Sequence, residues 1–276
     1  MTELVVMVTG ATRGLGRGMA RGFAKAGATV AVTGRDPQVL AAVAREVEER
    51  GGRALPLPCD HRDDDAVAVA FARLAEATGG RLDLLVNNAA AVHPAALMAP
   101  GGFWEKPLEL ADMIEVGLRS SYVAAWHAAP LMVARGAGLI ASVSFYGARS
   151  YFHGPAYGAA KAGTDKMSAD MAVDLAPHGV AVVSFWPGFV LTDAVRALPP
   201  EMLPPDLRAA LPMWETPEFS ALVLAALLRD PELPRLSGQA LIGAELGERY
   251  GIVDTDGKRP PSYRATMGEP LAFGSP

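Results

Sequence analysis

The feature that most constrains the fold is an alternation of short apolar runs with longer helical patterns along the 276 residues. Apolar runs of about five residues are typical of strands buried in a parallel sheet, and the helices between them supply the crossover connections. The runs lie at 4–8, 28–33, 54–58, 82–86, 139–143, 180–185 and 239–243, and the helical patterns at 15–26, 37–50, 64–78, 107–134, 155–176 and 217–229. The sequence therefore predicts an α/β fold: a Rossmann-like, doubly wound parallel sheet of seven strands with helices on both faces.

The length suits one large domain, which we expect to occupy residues 1–250. Residues 193–216 are rich in proline and interrupt the alternation, so we interpret them as a lid or substrate segment. Residues 251–276 carry glycine, proline and charge without periodicity, which predicts an irregular C-terminal tail.

Composition excludes several classes of protein. A formal net charge of −5 argues against a nucleic-acid-binding surface, which requires a clustered basic excess. The single cysteine, Cys59, excludes an internal disulfide and is typical of a reducing cytoplasm. The first residues enter a strand pattern without a basic region, and no segment reaches the ~18 uninterrupted apolar residues of a membrane span. We therefore expect a cytoplasmic protein without a signal peptide or membrane span.

A glycine-rich turn, TGATRGLG at 9–16, follows the first strand and opens the first helix. Glycines let the backbone approach a pyrophosphate, whose charge is stabilised by the N–H groups at the start of the helix. The candidate cofactor residues of this turn are Gly10, Thr12, Arg13, Gly14, Leu15 and Gly16. An ordinary tight turn is the alternative, but the position after the first strand favours a dinucleotide site.

The end of the second strand, TGRD, indicates which dinucleotide binds. Gly34 stands where an NAD-selective site would place a carboxylate for the ribose 2′-OH. Arg35, together with Arg13, could bind the 2′-phosphate of NADP, because two guanidinium groups suit that dianion. The sequence therefore favours NADP(H), although a solvated arginine at a strand end is the alternative for Arg35.

Three polar residues follow the second, third and fourth strands. Asp36 is better explained as a helix cap than as a ligand for the cofactor. Asp60 could accept a hydrogen bond from the adenine amino group or could cap its own loop. Asn87, in NNAA at 87–90, stands where the sheet edge would meet the cofactor, with an ordinary turn as the alternative.

The segment PAYGAAKAG at 155–163 places Tyr157 four residues before Lys161, so that both share one face of a helix with small neighbours. Such a pair also occurs by chance in many helices. A tyrosine that exchanges protons near pH 7 needs its pKa lowered from about 10, and a lysine cation at about 4–5 Å supplies roughly 3–4 kcal/mol toward that shift. The pair therefore predicts acid–base chemistry on a bound substrate.

The glycine motif, NNAA, a serine ahead of Tyr-x-x-x-Lys, and the proline-glycine of WPGFVLT follow one another in that order. This combination resembles the short-chain dehydrogenase/reductase family over residues 4–243. The segments FWEKP (103–107), VGLRSSY (116–122) and SFWPGFVLT (184–192) are similar to a subgroup whose relatives reduce steroid and retinoid-type carbonyls.

The resemblance implies a role for each matching residue. Ser144, thirteen residues before Tyr157, would hold the substrate oxygen, and Ser142 is the competing serine with the wrong spacing. Tyr157 would be the general acid or base, and Lys161 would hold the nicotinamide ribose and lower the pKa of the tyrosine. The nicotinamide end of the cofactor would be lined by Pro187, Gly188, Val190 and Thr192.

One position departs from the family pattern. Gly117 stands where relatives carry an asparagine that holds a water in a proton relay toward the lysine. Glycine cannot do so, and it also weakens a helix interior by about 0.5–1 kcal/mol relative to alanine. We expect either a local kink at Gly117 or close packing against another element, with water or a backbone carbonyl completing the relay.

The substrate side is less defined. His93, His127 and His153 form no metal-like pair in sequence, and His153 is of interest because it closely precedes Tyr157. Large apolar residues that could line a pocket, or only pack, are Met98, Phe103, Trp104, Met202, Met213 and Trp214. Of these we expect Trp104 and Met213, with His153, to line the substrate site.

The function predicted from the sequence is an NADP-dependent oxidoreductase that transfers hydride between nicotinamide and a carbonyl or secondary alcohol of an apolar small molecule. An NADP(H)-binding sensor without turnover, or an NADP-assisted lyase or isomerase on the same fold, is the alternative. Apolar residues on the helices at 107–134 and 155–176, in excess of what one sheet face requires, predict a homodimer or homotetramer.

Overall fold

The predicted architecture is confirmed. The computed structural model describes residues 4–273 and contains one sheet of seven parallel strands in the order β3-β2-β1-β4-β5-β6-β7. The strands are β1 (Val5–Val8), β2 (Thr29–Gly34), β3 (Arg53–Pro58), β4 (Leu84–Asn87), β5 (Gly138–Val143), β6 (Val180–Trp186) and β7 (Ala240–Ile242). Because the strand order reverses between β1 and β4, a crevice forms at their carboxyl ends, where open α/β sheets bind ligands.

Helices cover both faces of the sheet. The longer ones are α1 (Gly14–Ala24), α2 (Pro37–Glu49), α3 (Asp64–Thr78), α4 (Ser120–Val133), α5 (Pro155–Leu175) and α6 (Phe219–Leu227). Shorter α-helical segments lie at Pro94–Met98, Asp112–Ile114, Asp193–Arg196, Pro205–Ala210, Leu233–Leu236, Gly243–Arg249 and Arg264–Met267. Single 3₁₀ turns lie at Leu108–Ala111, Tyr146–Ala148, Ala176–His178, Pro200–Met202 and Leu211–Met213. No helix within residues 4–273 is long and apolar enough to cross a membrane.

Two apolar layers hold the helices on the sheet. On one face, α1, α2 and α6 bury side chains such as Phe23, Leu40 and Leu224 against the strands. On the other face, α3, α4 and α5 bury side chains such as Phe71 and Met132. Each such side chain contributes about 1.5–3 kcal/mol when it is removed from water, so the two layers fix the sheet that carries the site.

The helix predicted at 107–134 is present from 108 to 133, but it is not uniformly α-helical. The segment begins with a 3₁₀ turn at Leu108–Ala111, and a π-helical turn at Glu115–Arg119 precedes α4. The π turn contains Gly117, whose carbonyl oxygen accepts a hydrogen bond from Ser121 Oγ at 2.9 Å. A π turn adds one residue to a helical turn and is frequent at functional sites.

The lid and tail segments pack near the carboxyl edge of the sheet. Residues 193–216 form four short helical segments rather than one element. The tail is irregular apart from Arg264–Met267, and two of its residues, Tyr263 and Met267, pack on a third apolar cluster with Tyr146 and Trp186. The C-terminal tail is thus part of the wall behind the crevice.

Candidate active site

The glycine-rich turn is held in place by its neighbours. Gly10 has a φ of +65°, and a Cβ there would lie 2.8 Å from the Ala89 Cα, so that glycine is required. Asn88 Nδ2 donates to the carbonyl oxygens of Thr9 at 2.9 Å and Gly10 at 3.2 Å. Helix α1 begins at Gly14, and the preceding Arg13 makes no side-chain capping bond. The N–H groups that open α1 are therefore available to an anion.

The structure explains the glycine at the end of β2. A Cβ on Gly34 would overlap the Thr12 Cγ2, so the Thr12 side chain occupies the space that any side chain at position 34 would need. The Arg13 and Arg35 side chains are exposed, and neither makes a hydrogen bond or ion pair with another residue in the described range 4–273. Asp36 is a helix cap, as expected, because its Oδ1 accepts from Gln38 N at 2.8 Å and Val39 N at 3.2 Å.

The loop after β3 contains a buried histidine that the sequence analysis did not single out. Asp60 Oδ1 accepts from Arg62 N at 3.1 Å and so caps its own loop. The next residue, His61, lies with Nε2 2.7 Å from Thr33 Oγ1, which itself accepts from Gly10 N at 3.0 Å. The hydroxyl of Thr33 thus joins the imidazole of His61 to the backbone of the glycine-rich turn. Burial lowers the pKa of His61 to about 4, so the ring is neutral.

The predicted tyrosine–lysine pair lies on the first turns of α5, which begins at Pro155. Lys161 Nζ lies 5.5 Å from the centroid of the Tyr157 ring and donates to the carbonyl oxygen of Val143 at 2.9 Å. Burial lowers the pKa of Lys161 to about 8, partly offset by the carboxylate of Asp165. Burial raises the pKa of Tyr157, the opposite direction to the lowering expected from the sequence.

Asp165, one turn beyond Lys161, was also missed from the sequence. Its Oδ1 accepts from Ser184 Oγ at 2.5 Å and from Trp186 Nε1 at 3.0 Å, both on β6. Burial raises the pKa of Asp165, while these hydrogen bonds lower it. The Asp165 carboxyl group links α5 to β6 one turn beyond Lys161. These hydrogen bonds therefore fix the position of Lys161 relative to the sheet.

The two candidate serines have different partners. Ser144 is buried beside the pair, and its Oγ donates to the carbonyl oxygen of Lys161 at 3.1 Å. Ser142 lies inside the sheet, where its Oγ accepts from Asn87 Nδ2 at 3.2 Å. Asn87 is 2% exposed and also donates to the Ser121 carbonyl oxygen at 3.2 Å, so the asparagine that contacts the glycine turn is Asn88.

The loop after β6 closes one side of the crevice. Gly188 N donates to Glu215 Oε2 at 3.0 Å. Thr192 Oγ1 accepts from Val195 N at 3.3 Å and caps the short helix Asp193–Arg196. A Cβ on Gly14 would lie 3.7 Å from Thr192 Cγ2, so this loop and the glycine turn meet across the crevice.

An aromatic cluster borders Tyr157. The Phe152 and His153 rings lie 5.9 and 5.2 Å from the Tyr157 ring, and His153 has a φ of +57°. Phe189 lies 6.1 Å from Phe152 and stacks on Trp214 at 5.0 Å. Of the predicted substrate residues, His153 is thus beside Tyr157.

The other two predicted substrate residues, Met213 and Trp104, are exposed and do not pack within the aromatic cluster. Met213 is next to the stacked Trp214 but is itself exposed. Trp104 is 75% exposed, and its ring contact within residues 4–273 is with Phe103. No group of three or more histidine, cysteine, aspartate or glutamate residues suited to a metal ion occurs within the same part of the chain.

The sheet brings a glycine-rich turn, the Tyr157–Lys161 pair and a buried serine to one edge. This arrangement is typical of nicotinamide-dependent oxidoreductases. The sequence model of the short chain dehydrogenase family matches residues 4–202. The chain belongs to the short-chain dehydrogenase/reductase family, whose members use a nicotinamide cofactor and act on small molecules.

Particular relatives support the subgroup indicated by the sequence. The chain is 40% identical over 271 residues to dehydrogenase/reductase SDR family member 1 from Mus musculus and from Homo sapiens, covering 95% of this chain and 87% of each relative. It is 35% identical to cis-4-hydroxycyclohexanecarboxylate dehydrogenase of Sinomonas cyclohexanicum, over 72% of this chain and 78% of the relative. A variant of actinorhodin polyketide ketoreductase solved with NADPH is 27% identical with a TM-score of 0.75, over 87% of this chain and 95% of that one.

Proposed function

We propose that this protein is an NADP-dependent reductase or dehydrogenase that interconverts a carbonyl group and a secondary alcohol on an apolar small molecule, with Tyr157 as general acid and base. The observation that carries the proposal is the placement of Tyr157 and Lys161 on one helix face, at the sheet edge that also carries the glycine-rich turn. Pairs of this kind exchange protons with a bound oxygen.

The residues divide the chemistry among them. Bound NADPH supplies the hydride for the carbonyl carbon. Tyr157 donates its phenolic proton to the carbonyl oxygen, and it takes the proton back in the oxidative direction. Lys161 holds the ribose hydroxyls with its ammonium group, whose charge favours the phenolate. Ser144 orients the carbonyl oxygen after its hydroxyl turns away from the Lys161 carbonyl oxygen, a rotation about one side-chain bond.

The preference for NADP is proposed from Gly34, Arg13 and Arg35. A carboxylate at position 34 would displace Thr12, while two exposed guanidinium groups, which have no partner among residues 4–273, flank the same end of the crevice. Both features favour a 2′-phosphate over a free 2′-hydroxyl. Asp60 and the backbone of Asn87 complete the proposed cofactor site, with Pro187, Gly188, Val190 and Thr192 at the nicotinamide end.

The aromatic cluster supports an apolar substrate. Phe152 lies 5.9 Å from the Tyr157 ring and packs with Phe145 and Phe189, so the surroundings of Tyr157 are aromatic, and burying apolar surface contributes about 25 cal/mol per Å². We propose that the enzyme acts in the cytoplasm as a homodimer or homotetramer.

The experiment that tests the function is a panel of ketones and aldehydes incubated with NADPH, followed by cofactor absorbance and product identification. Stoichiometric oxidation of NADPH with formation of the alcohol is the expected result. NADPH binding without turnover on any member would favour a sensor, and product formation without net cofactor oxidation would favour a lyase or isomerase.

A further inference from the structure

Glu215 is a buried carboxyl group beyond the part of the chain matched by the family model, which ends at residue 202. It is 1% exposed and lies near the end of the lid segment, before α6 begins. Its Oε1 accepts from Ser220 Oγ at 3.2 Å and its Oε2 accepts from Gly188 N at 3.0 Å. A carboxyl group so placed reaches from the lid segment into the loop that follows β6.

Glu215 holds this loop through its main chain as well. Glu215 N donates to the Phe189 carbonyl oxygen at 3.0 Å, and Leu191 N donates to the Glu215 carbonyl oxygen at 2.9 Å. Val190 lies between the two residues that make these hydrogen bonds and therefore forms a parallel β-bridge with Glu215. Because alternate peptide groups of an extended strand point to opposite edges, the N–H of Val190 faces away from Glu215, and it has no hydrogen-bond partner within residues 4–273.

The C-terminal tail fixes Glu215 in turn. Asp254 accepts from Thr216 N at 2.7 Å and from Thr216 Oγ1 at 2.5 Å, which anchors the residue that follows Glu215. The Tyr263 ring packs edge-on against Phe189 at 4.9 Å, and Tyr263 N donates to Tyr146 Oη at 2.9 Å. These contacts join the tail, the lid segment and the β6 loop.

The space around Gly188 shows how closely the parts fit. A Cβ at Gly188 would lie 3.0 Å from Glu215 Oε2 and 3.4 Å from Tyr263 Cε2. The carboxyl group and the tyrosine ring thus both lie close to Gly188. If the Glu215 carboxyl group moves away, the loop that carries Val190 loses a contact that holds it in place.

We infer that Glu215 is a positioning residue for the nicotinamide end of the cofactor: it sets the Gly188–Leu191 loop so that the N–H of Val190 points at that end, and the C-terminal tail holds it there. The inference rests on the proposed function, because it needs a nicotinamide cofactor in the crevice. A side chain at this position would act on the nicotinamide half of the cofactor alone, since the proposed partner of the adenosine half, Arg35, follows β2 on the other side of the crevice.

Two ligands separate these halves: NADPH, and adenosine 2′,5′-bisphosphate, which lacks the nicotinamide ribose. Glu215→Asp keeps the carboxyl group but withdraws it by one methylene, whereas Glu215→Gln keeps the reach and an acceptor oxygen. We expect Glu215→Asp to weaken NADPH binding by about tenfold, the value of one lost hydrogen bond, and to leave binding of the bisphosphate unchanged. Glu215→Gln should bind both ligands like the native protein.

A matched control lies at the opposite edge of the sheet. Asp83 also accepts from a backbone N–H, that of Val5 at 2.7 Å, so Asp83→Asn alters a comparable carboxylate far from the crevice. It should lower the thermal midpoint without changing either affinity. Equal losses for the two ligands in Glu215→Asp, a native NADPH affinity in that variant, or a loss in Glu215→Gln as large as in Glu215→Asp would overturn the inference. Failure of the native protein to bind NADPH would instead refute the proposed function.

Discussion

At the scale of single residues, Arg35 carries the clearest prediction about the cofactor. Its exposed guanidinium has no partner within the described part of the chain, so its removal leaves no buried group unsatisfied. Arg35→Ala should weaken NADP binding by about 1.5–3 kcal/mol, the range for a hydrogen bond to a charged group, and barely affect NAD binding. Calorimetric titration with both cofactors checks this, with Arg45→Ala on α2 as the control. Equal losses for NADP and NAD would contradict the proposed preference.

Glu215 carries a prediction about pH. Burial, with the charge of Asp254, raises its pKa to about 8, and the other titratable groups that face it are Tyr146 and Tyr263. The folded protein therefore keeps a proton that the unfolded chain releases above about pH 5, and stability falls as pH rises from there through 8. Glu215→Gln removes this loss. Its free energy of unfolding relative to the native protein should rise by several kcal/mol between pH 5 and 9, since each pKa unit corresponds to about 1.4 kcal/mol. A difference that is constant across urea titrations in this range would refute the assignment.

At the scale of elements, the π turn at Glu115–Arg119 sets the surroundings of Gly117 and so the effect of substituting it. A Cβ on Gly117 would meet only the Ala160 Cβ, at 3.9 Å, so close packing does not explain the glycine. Gly117→Ala should therefore fold normally and gain up to about 1 kcal/mol in the free energy of unfolding. Gly18→Ala on α1 is the matched control, because its Cβ would lie 2.7 Å from the backbone carbonyl carbon of Pro217 and should destabilise the protein.

The same turn bears on the proton relay. We expect the native protein, with glycine at 117, to turn over substrate, and Gly117→Asn to change its rate without being required for activity. Initial rates of NADPH oxidation by both proteins check this. Activity that appears only in Gly117→Asn would show that the native chain binds the cofactor without catalysis.

Sequence patterns predict the elements better than the contacts between them. The seven strands follow from apolar runs, and the start of α5 at Pro155 follows from a proline in the first turn. The bonds from Glu215 to Gly188 and from Tyr263 to Tyr146 join residues far apart in sequence, and no local periodicity encodes them. The raised pKa of Tyr157 is likewise a product of burial, which depends on the whole packed structure.

At the scale of the whole molecule, the exposed side of α4 and the turn before it predicts an assembly. Tyr122 and Trp126 lie four residues apart on α4 and are 53% and 62% exposed, and Ile114, on the helical segment before the π turn, is 36% exposed. Apolar rows of this kind mark protein interfaces. We expect a dimer or tetramer by light scattering at micromolar concentration, and a smaller species for Trp126→Asp, with Val69→Asp on α3 as the control. A native monomer would contradict the proposed assembly.

The central claim is that Tyr157 transfers the proton in an NADPH-dependent carbonyl reduction. Its most direct test is the turnover number of Tyr157→Phe on a substrate found with the panel, measured beside its affinity for NADPH. Since a positioned general acid contributes about 10²–10⁴-fold, the account predicts a fall of that size with cofactor affinity retained. Near-native turnover by Tyr157→Phe would contradict the account.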